Sequence, residues 1–449
     1  MLIQSISGIR GIYPTDLNGE VIARYVRAFH RFLPEGTVAV GRDSRPSGNN
    51  LLSVITDTLI TVGRGVMDCG ICPTPTIQFV VDDTDSVGGI VVTASHNPEE
   101  WNGLKFIVSD GCFLNKEQFD KFLLLYEKNV ELTDLEMGSY SRFDQAIRRH
   151  LKRILSLHFL NVQEIKSRQF KVAVDTVNGA ASEALPLLME RLGCKVVKIN
   201  CDFSGKFARG PEPLPENLHM LTNAVKENGC DVGFATDPDG DRLAVMDEVG
   251  NPLGEEYTLV IALDDFLRSA DSPQTVVTNL STTKAVDNIV EKYQGVVKRS
   301  AVGEINVVEL MKQENVRIGG EGNGGVILRD VHLGRDSLVA AAIVLNWMAK
   351  STEPLSVIFT DLPQYNMLKE KVSIEGIDLE KVVHHLESIF QGVTVDKSDG
   401  AKFMWENHWI HLRKSNTEPI VRIYAEGPDR TSILKLVNSV KDMITQKLE

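Results

Sequence analysis

Positive charge is in short supply in this 449-residue sequence: 48 lysines and arginines face 61 aspartates and glutamates, a net charge of −13. That deficit argues against non-specific nucleic-acid binding, which needs a basic face. It also means that an anionic ligand must be held by local basic pockets, because no general field draws it in. Long apolar runs are missing too. The best of them, Leu338 to Leu345, is too short to span a membrane. The first ten residues, Met1 to Arg10, lack a basic segment followed by a long apolar one, so no signal peptide is expected. Cysteine is scarce as well. Six in a chain of this length do not make a disulfide framework. Cys69 and Cys72 have C-x-x-C spacing, but no second pair completes a zinc site, since Cys112, Cys194, Cys201 and Cys230 are scattered. A cytoplasmic enzyme with reduced thiols is the expectation.

What is present is ordinary globular material: 43% hydrophobic and 24% charged residues. The length suggests about three domains or slightly more. Three stretches look alike: Thr37 to Pro46, Lys171 to Gly179 and Thr275 to Thr283 each run from an apolar strand into a polar loop. Amphipathic helical patterns follow at Leu51–Val62, Ser182–Leu192 and Lys284–Tyr293. Strand–loop–helix recurring in this way predicts successive α/β domains. The expected boundaries are 1–150, 151–254, 255–362 and 363–449. The first closes with a basic helix around Phe143 to Leu160, its charged face solvated. The second contains the proline-rich connection Arg209 to Glu216, and a linker-like Asp361 to Asn366 precedes the last. That last unit, with strand-like Trp409–Leu412 and Val421–Ala425 and a closing helix Thr431–Lys447, reads as a smaller α+β domain.

Four clusters carry candidate chemistry. The apolar run Val87–Val92 leads into Thr-Ala-Ser-His-Asn-Pro-Glu-Glu, Thr93 to Glu100, which places Ser95 where the chain leaves a sheet. Alone, this is equally a serine-containing turn. Asp237-Pro-Asp-Gly-Asp-Arg242 sets three carboxylates at alternate positions, able to converge on one hard cation. An EF-hand is disfavoured, because Arg242 occupies its obligatory glycine position and the flanks are strand-like. Mg²⁺ held by Asp237, Asp239 and Asp241 is the expectation, with an acidic surface turn as the plain alternative. Arg413 to Arg422 offers hydroxyls at Ser415 and Thr417, a left-handed-tolerant Asn416 and the guanidinium of Arg422, donors suited to a phosphate. A polar turn before an edge strand explains it equally well. Gly319 to Gly325 allows close backbone approach, and Glu321 within it suits sugar hydroxyls. Arg10 and Arg42 are further anion-binding candidates.

Ser95 lacks the G-x-S-x-G setting of a hydrolase nucleophile, and His96 is too near in sequence to be assumed its base. A serine with a divalent-cation loop, arginines and a phosphate pocket suggests phosphoryl transfer through a phosphoserine, with Lys105 as proton shuttle.

In combination these motifs resemble the α-D-phosphohexomutase superfamily, in order and along essentially the whole chain. Ser7-Gly-Ile-Arg-Gly11, Thr93–Pro98, Asn102-Gly-Leu-Lys105, Asp237–Arg242, Gly320–Gly325 and Arg413–Arg422 carry the resemblance. It implies three similar α/β domains and a smaller fourth around a central cleft. It also implies that phosphorylated Ser95 converts a hexose 6-phosphate to the 1-phosphate through a 1,6-bisphosphate, which also serves as activator. Arg10 and His96 would support Ser95 and Lys105 in catalysis, and Ser95 would join the three aspartates at Mg²⁺. Arg242, Gly303, Glu321, Asn323, Arg413, Ser415, Asn416, Thr417 and Arg422 would contact the substrate. Asn323 and Gly325 replace the serine and histidine common in bacterial specificity loops, and the loop Arg299–Asn306 departs as well. The Glu-Gly-Asn-Gly-Gly version is most similar to archaeal-type phosphoglucosamine mutases. Glucosamine phosphate is therefore the expected substrate, with mannose or glucose phosphate as runner-up. A non-catalytic phosphosugar-binding relative or a phosphoserine-using phosphatase would carry many of the same motifs. The expected form is a monomer or homodimer with no nucleic-acid or membrane partner.

Overall fold

The three strand–loop–helix stretches open three sheets of identical wiring. The structure, a computed structural model, describes residues 2–129, 136–373, 378–414 and 420–445. In it the first strands of the repeats are Val38–Arg42, Lys171–Asp175 and Thr275–Asn279. Each lies between the second and third strands of its repeat and runs parallel to both. The fourth strand then returns antiparallel to the third. Parallel neighbours need a crossover, and the helices Gly48–Thr61, Ala184–Arg191 and Ala285–Lys292 follow the three first strands within a few residues of the expected positions. The first sheet is wider, seven strands in all: the hairpin Ile3–Ser5 and Gly8–Ile12 extends one edge and Tyr140–Arg142 the other.

The antiparallel return needs only a hairpin, so the third-to-fourth connection sits at the carboxyl end of a parallel strand, the usual ligand edge of an α/β sheet. Thr93–Glu100 joins Gly88–Val92 to Trp101–Val108; Asp237–Arg242 joins Val232–Thr236 to Leu243–Met246; residues 322–324 join Ile318–Glu321 to Gly325–Leu328. Three of the four candidate clusters therefore occupy one topological address. The fourth unit is an antiparallel five-stranded sheet, with Arg413 and Arg422 on neighbouring strands.

One apolar core runs through the first three sheets without a break, while residues from Val372 to Ile444 form a separate one. The run Leu338–Leu345 lies in the helix Ser337–Ala349, every residue of which is buried. A helix apolar all round belongs inside; this one packs on helices from the second and third repeats and on the linking helix Ala146–Leu155. That linking helix buries Ile147, His150, Leu151 and Ile154 and leaves its arginines and lysine outward, as a solvated basic face should. Among the described residues no helix is long and apolar enough to cross a membrane. All six cysteines are free. Burial pushes the Cys69 thiol up to about 12 and holds that of Cys72 well above its ordinary range, so neither is a ready thiolate.

Candidate active site

Ser95 is 2% exposed and left-handed, with φ of 50°. A serine there needs support from its surroundings. Its N–H donates to Thr93 Oγ1 at 2.9 Å, and that hydroxyl donates to Asp43 Oδ2 at 2.6 Å. Arg45, wholly buried, pairs with Asp43 at 3.0 Å and donates to the carbonyls of Ser95 (2.7 Å), Asn97 (2.7 Å), Trp101 (2.8 Å) and Pro98. One guanidinium thus holds the whole hairpin. Sequence reasoning missed it; the only trace was an aspartate and an arginine two residues apart just beyond a strand. Arg42, the expected anion ligand, instead donates to the carbonyl of Asp43 and does not line the cavity.

The acid hairpin closes on itself. Asp237 Oδ1 accepts from the N–H groups of Asp241 (3.1 Å) and Arg242 (3.2 Å). Asp239 Oδ2 accepts from Lys105 Nζ (2.6 Å) and Thr74 Oγ1 (2.8 Å), and Asp241 Oδ2 from Arg335 Nη2 (2.6 Å). Among the described residues, the second oxygen of each carboxylate is buried and accepts no hydrogen bond, although Asp241 Oδ1 lies 3.8 Å from Arg242 Nε. One ligand oxygen from each of the three aspartates falls within 4.8 Å of the others. Buried carboxylate oxygens that accept no hydrogen bond are costly, and three carboxylates this close together suit a hard divalent cation. Burial, reinforced by Asp241 and Asp239, raises the Asp237 carboxyl well above its usual range. Burial acts the same way on Asp239, but the Lys105 ammonium more than offsets it and holds this carboxyl low. Burial opposes the charge on Lys105, and Asp239 and Asp241 outweigh it, so Lys105 is held protonated.

In the third hairpin Glu321 is fully engaged. Its Oε1 accepts from Asn279 Nδ2 (2.8 Å) and the N–H of Gly303 (3.0 Å), and its Oε2 from Arg335 Nη1 (3.0 Å). Gly303, with φ of 123°, sits where the helix Glu304–Gln313 begins. Asn323 Oδ1 is buried without a partner beside the cavity. Arg335, which also pairs with Glu304 at 3.2 Å, joins the acid hairpin to the third hairpin through Asp241 and Glu321. No motif marked it in the sequence.

These hairpins face a cavity of about 350 Å³, which brings together Arg10, Ser95, His96, Lys105, Arg242, Gly303, Glu321 and Asn323, with Arg413 and Arg422 from the fourth sheet. Arg10 donates to Asn97 Oδ1 at 2.8 Å. His96 Nδ1 lies 3.5 Å from Ser95 Oγ and 3.2 Å from Arg242 Nη2. Burial, then Arg242 and Arg10, push His96 down to about 2, so its ring is neutral. Arg242 also donates to Glu212 at 3.0 Å, and Arg413 pairs with Asp399 at 2.7 Å. Ser415, Asn416 and Thr417 lie outside the described residues. The cavity therefore offers a hydroxyl and several guanidinium groups for phosphate, and the three aspartates stand behind its lining, in contact with Lys105, Arg242 and Arg335.

The chain matches the family models for phosphoglucomutase/phosphomannomutase in sequence order. Alpha/beta/alpha domain I covers residues 2–132, domain II 148–250, domain III 254–365 and the C-terminal domain 374–443. It is 37% identical over 430 residues to a phosphoglucomutase/phosphomannomutase of Thermococcus kodakarensis, covering 94% of this chain and 93% of that one. It is 30% identical over 450 residues to a phosphoglucosamine/phosphogalactosamine mutase of Sulfurisphaera tokodaii, covering 98% of each. Among solved structures, a phosphoglucomutase/phosphomannomutase family protein of Burkholderia thailandensis superposes with a TM-score of 0.86 at 25% identity. That match covers 100% of this chain and 98% of the other.

Proposed function

The chain belongs to the phosphoglucomutase/phosphomannomutase family and is a phosphohexomutase, and on that premise we propose that it interconverts glucosamine 6-phosphate and glucosamine 1-phosphate through a phosphoserine at Ser95. The Oγ–P bond of phosphorylated Ser95 breaks as a bond forms to the free hydroxyl of the hexose monophosphate, giving the 1,6-bisphosphate. The other phosphate of that intermediate then returns to Ser95. Hexose 1,6-bisphosphate primes the serine at the start. Asp237, Asp239 and Asp241 would hold Mg²⁺, which neutralises charge on the transferring group when bound. Arg10 and Arg242 orient the reacting phosphate, while Arg413, Arg422 and the segment 415–417 grip the distal one. Lys105 takes the hydroxyl proton as the sugar oxygen attacks and, with its two aspartates favouring the protonated form, returns that proton when a sugar oxygen leaves in the second transfer, Ser95 Oγ departing and re-attacking as the same alkoxide.

The observation that supports this reading is the set of three buried carboxylate oxygens that accept no hydrogen bond from the described residues, in the loop whose Asp239 and Asp241 pair with Lys105, which lines the same cavity as Ser95. The glycine-rich Gly320–Gly325 and relatives named phosphoglucosamine mutase favour glucosamine phosphate. The 37% identical relative, named phosphoglucomutase/phosphomannomutase, favours mannose or glucose phosphate as the second reading. The test is an assay of the Mg²⁺-loaded, bisphosphate-primed protein on glucosamine, mannose and glucose 6-phosphates. Glucosamine 6-phosphate should turn over fastest; a clear preference for another hexose overturns the substrate choice. Mass spectrometry should find the phosphoryl group on Ser95, and its location elsewhere overturns the mechanism.

A further inference from the structure

Two grips hold the acid hairpin from opposite sides. On one side Thr74, which opens the helix Thr74–Asp83, donates its hydroxyl to Asp239 Oδ2 at 2.8 Å and its N–H to the Asp239 carbonyl at 2.9 Å. On the other side Arg335 reaches Asp241 Oδ2 at 2.6 Å, and Ser337 Oγ donates to the Gly240 carbonyl at 2.6 Å. The grips come from the first and third repeats, yet they are joined behind the hairpin. Thr76, in the same helical turn as Thr74, places Oγ1 3.1 Å from His150 Nδ1. His150 Nε2 lies 2.9 Å from Asp336 Oδ2, an ion-pair contact off the hydrogen-bonding direction, and Asp336 is the residue between Arg335 and Ser337. His332 Nε2 meets the same oxygen at 3.2 Å, and Asp336 Oδ1 caps the central helix through the N–H of Leu338 at 2.8 Å. His150 also stacks on Phe79 of the Thr74 helix, with ring centroids 5.0 Å apart.

Thr76, His150 and Asp336 are all buried, at 0%, 0% and 1% exposure. Apolar side chains would fill this junction without the desolvation that polar ones suffer, so a polar chain here points to a requirement for geometry. We propose that the Thr76–His150–Asp336 bridge is a positioning device for the cation loop: by locking the two grips together it fixes the separation of Asp239 and Asp241, and with it the affinity for a divalent cation. The inference rests on the reading of that loop as a cation site. Residues behind metal ligands typically change affinity by about 10–100-fold when replaced.

The probe is Mg²⁺ itself, titrated by calorimetry into the full-length, chelator-stripped protein. His150→Phe keeps the ring and its stack on Phe79 but removes both nitrogens, and Thr76→Val swaps one hydroxyl for a methyl. Each should bind Mg²⁺ about tenfold more weakly, while the KM for the phosphosugar at saturating Mg²⁺ stays as in the wild type. His150→Gln, which retains a donor and an acceptor, should recover part of the loss. Wild-type affinity in a folded His150→Phe or Thr76→Val protein overturns the proposal. If His150→Phe does not fold, Thr76→Val decides alone. A wild-type protein that binds no Mg²⁺ overturns the cation reading itself, a failure distinguishable from that of the bridge.

Discussion

Lys105 Nζ lies 2.6 Å from Asp239 Oδ2 and 3.7 Å from Asp241 Oδ2, so a strand of the first repeat delivers its ammonium into the acid hairpin of the second. The lysine nearest Ser95 in sequence thus serves two hairpins at once. Lys105→Met keeps most of the stem and deletes the charge. Its kcat should fall about 10²–10⁴-fold, the range for loss of a general acid–base group, as steady-state kinetics would read.

Arg45→Ala leaves Asp43 buried without its cation and unpairs the carbonyls of the Ser95 hairpin. Loss of one partner of a buried ion pair costs about 3–5 kcal/mol, to be read from urea unfolding midpoints. Phosphate incorporation at Ser95 from the bisphosphate should drop with it, because the left-handed backbone at Ser95 loses its anchor.

Gly103 faces the base of the same hairpin. A Cβ there would stand 2.5 Å from the carbonyl oxygen of Ile9 and 2.7 Å from that of Thr93, both main chain and neither free to swing away. Gly103→Ala should destabilise by about 1–3 kcal/mol and shift Thr93, which holds the Ser95 N–H. Thermal unfolding measures the first effect and turnover the second.

A pH dependence follows from His411, whose Nδ1 lies 2.9 Å from Ser281 Oγ and whose Nε2 lies 2.7 Å from the carbonyl of Asp399. Burial, with Lys402 acting in the same direction, pushes its pKa from 6.5 down to about 4. Between those values the unfolded chain binds a proton that the folded chain refuses, so stability is full above pH 6.5 and is lost as pH falls towards 4. Unfolding midpoints across that window should show a weaker dependence in His411→Gln.

Ser95 and the three aspartates were legible because each sits in a short contiguous loop after an apolar strand, and Glu321 because it is the one charged residue in a glycine-rich run. The fold class was legible for the same reason: apolar runs mark strands, and the patterns after them mark helices. Strand order is not written in such runs, so the shared wiring of the three sheets, and the single address of their hairpins, emerge only in three dimensions. Arg45, Thr74 and Arg335 were invisible for a related cause. Their partners are carbonyls and carboxylates 50, 165 and 94 residues away, and nothing local distinguishes a long-range donor from a surface one. Arg42 shows the converse: a glycine-flanked arginine beside a strand looked like an anion ligand and is spent on its neighbour's carbonyl.

The division of the apolar core has a mechanical consequence. The first three sheets share one dry interior, and parting them would wet it; they behave as a single chassis. The fourth sheet keeps its own interior and meets the chassis largely through polar ties such as Lys369 with Glu255 and Glu256, Lys284 with Glu426, and Val302 with Asp399. The wall bearing Ser95 and the acid hairpin therefore rests on the shared interior, and the wall bearing Arg413 and Arg422 on an interior of its own.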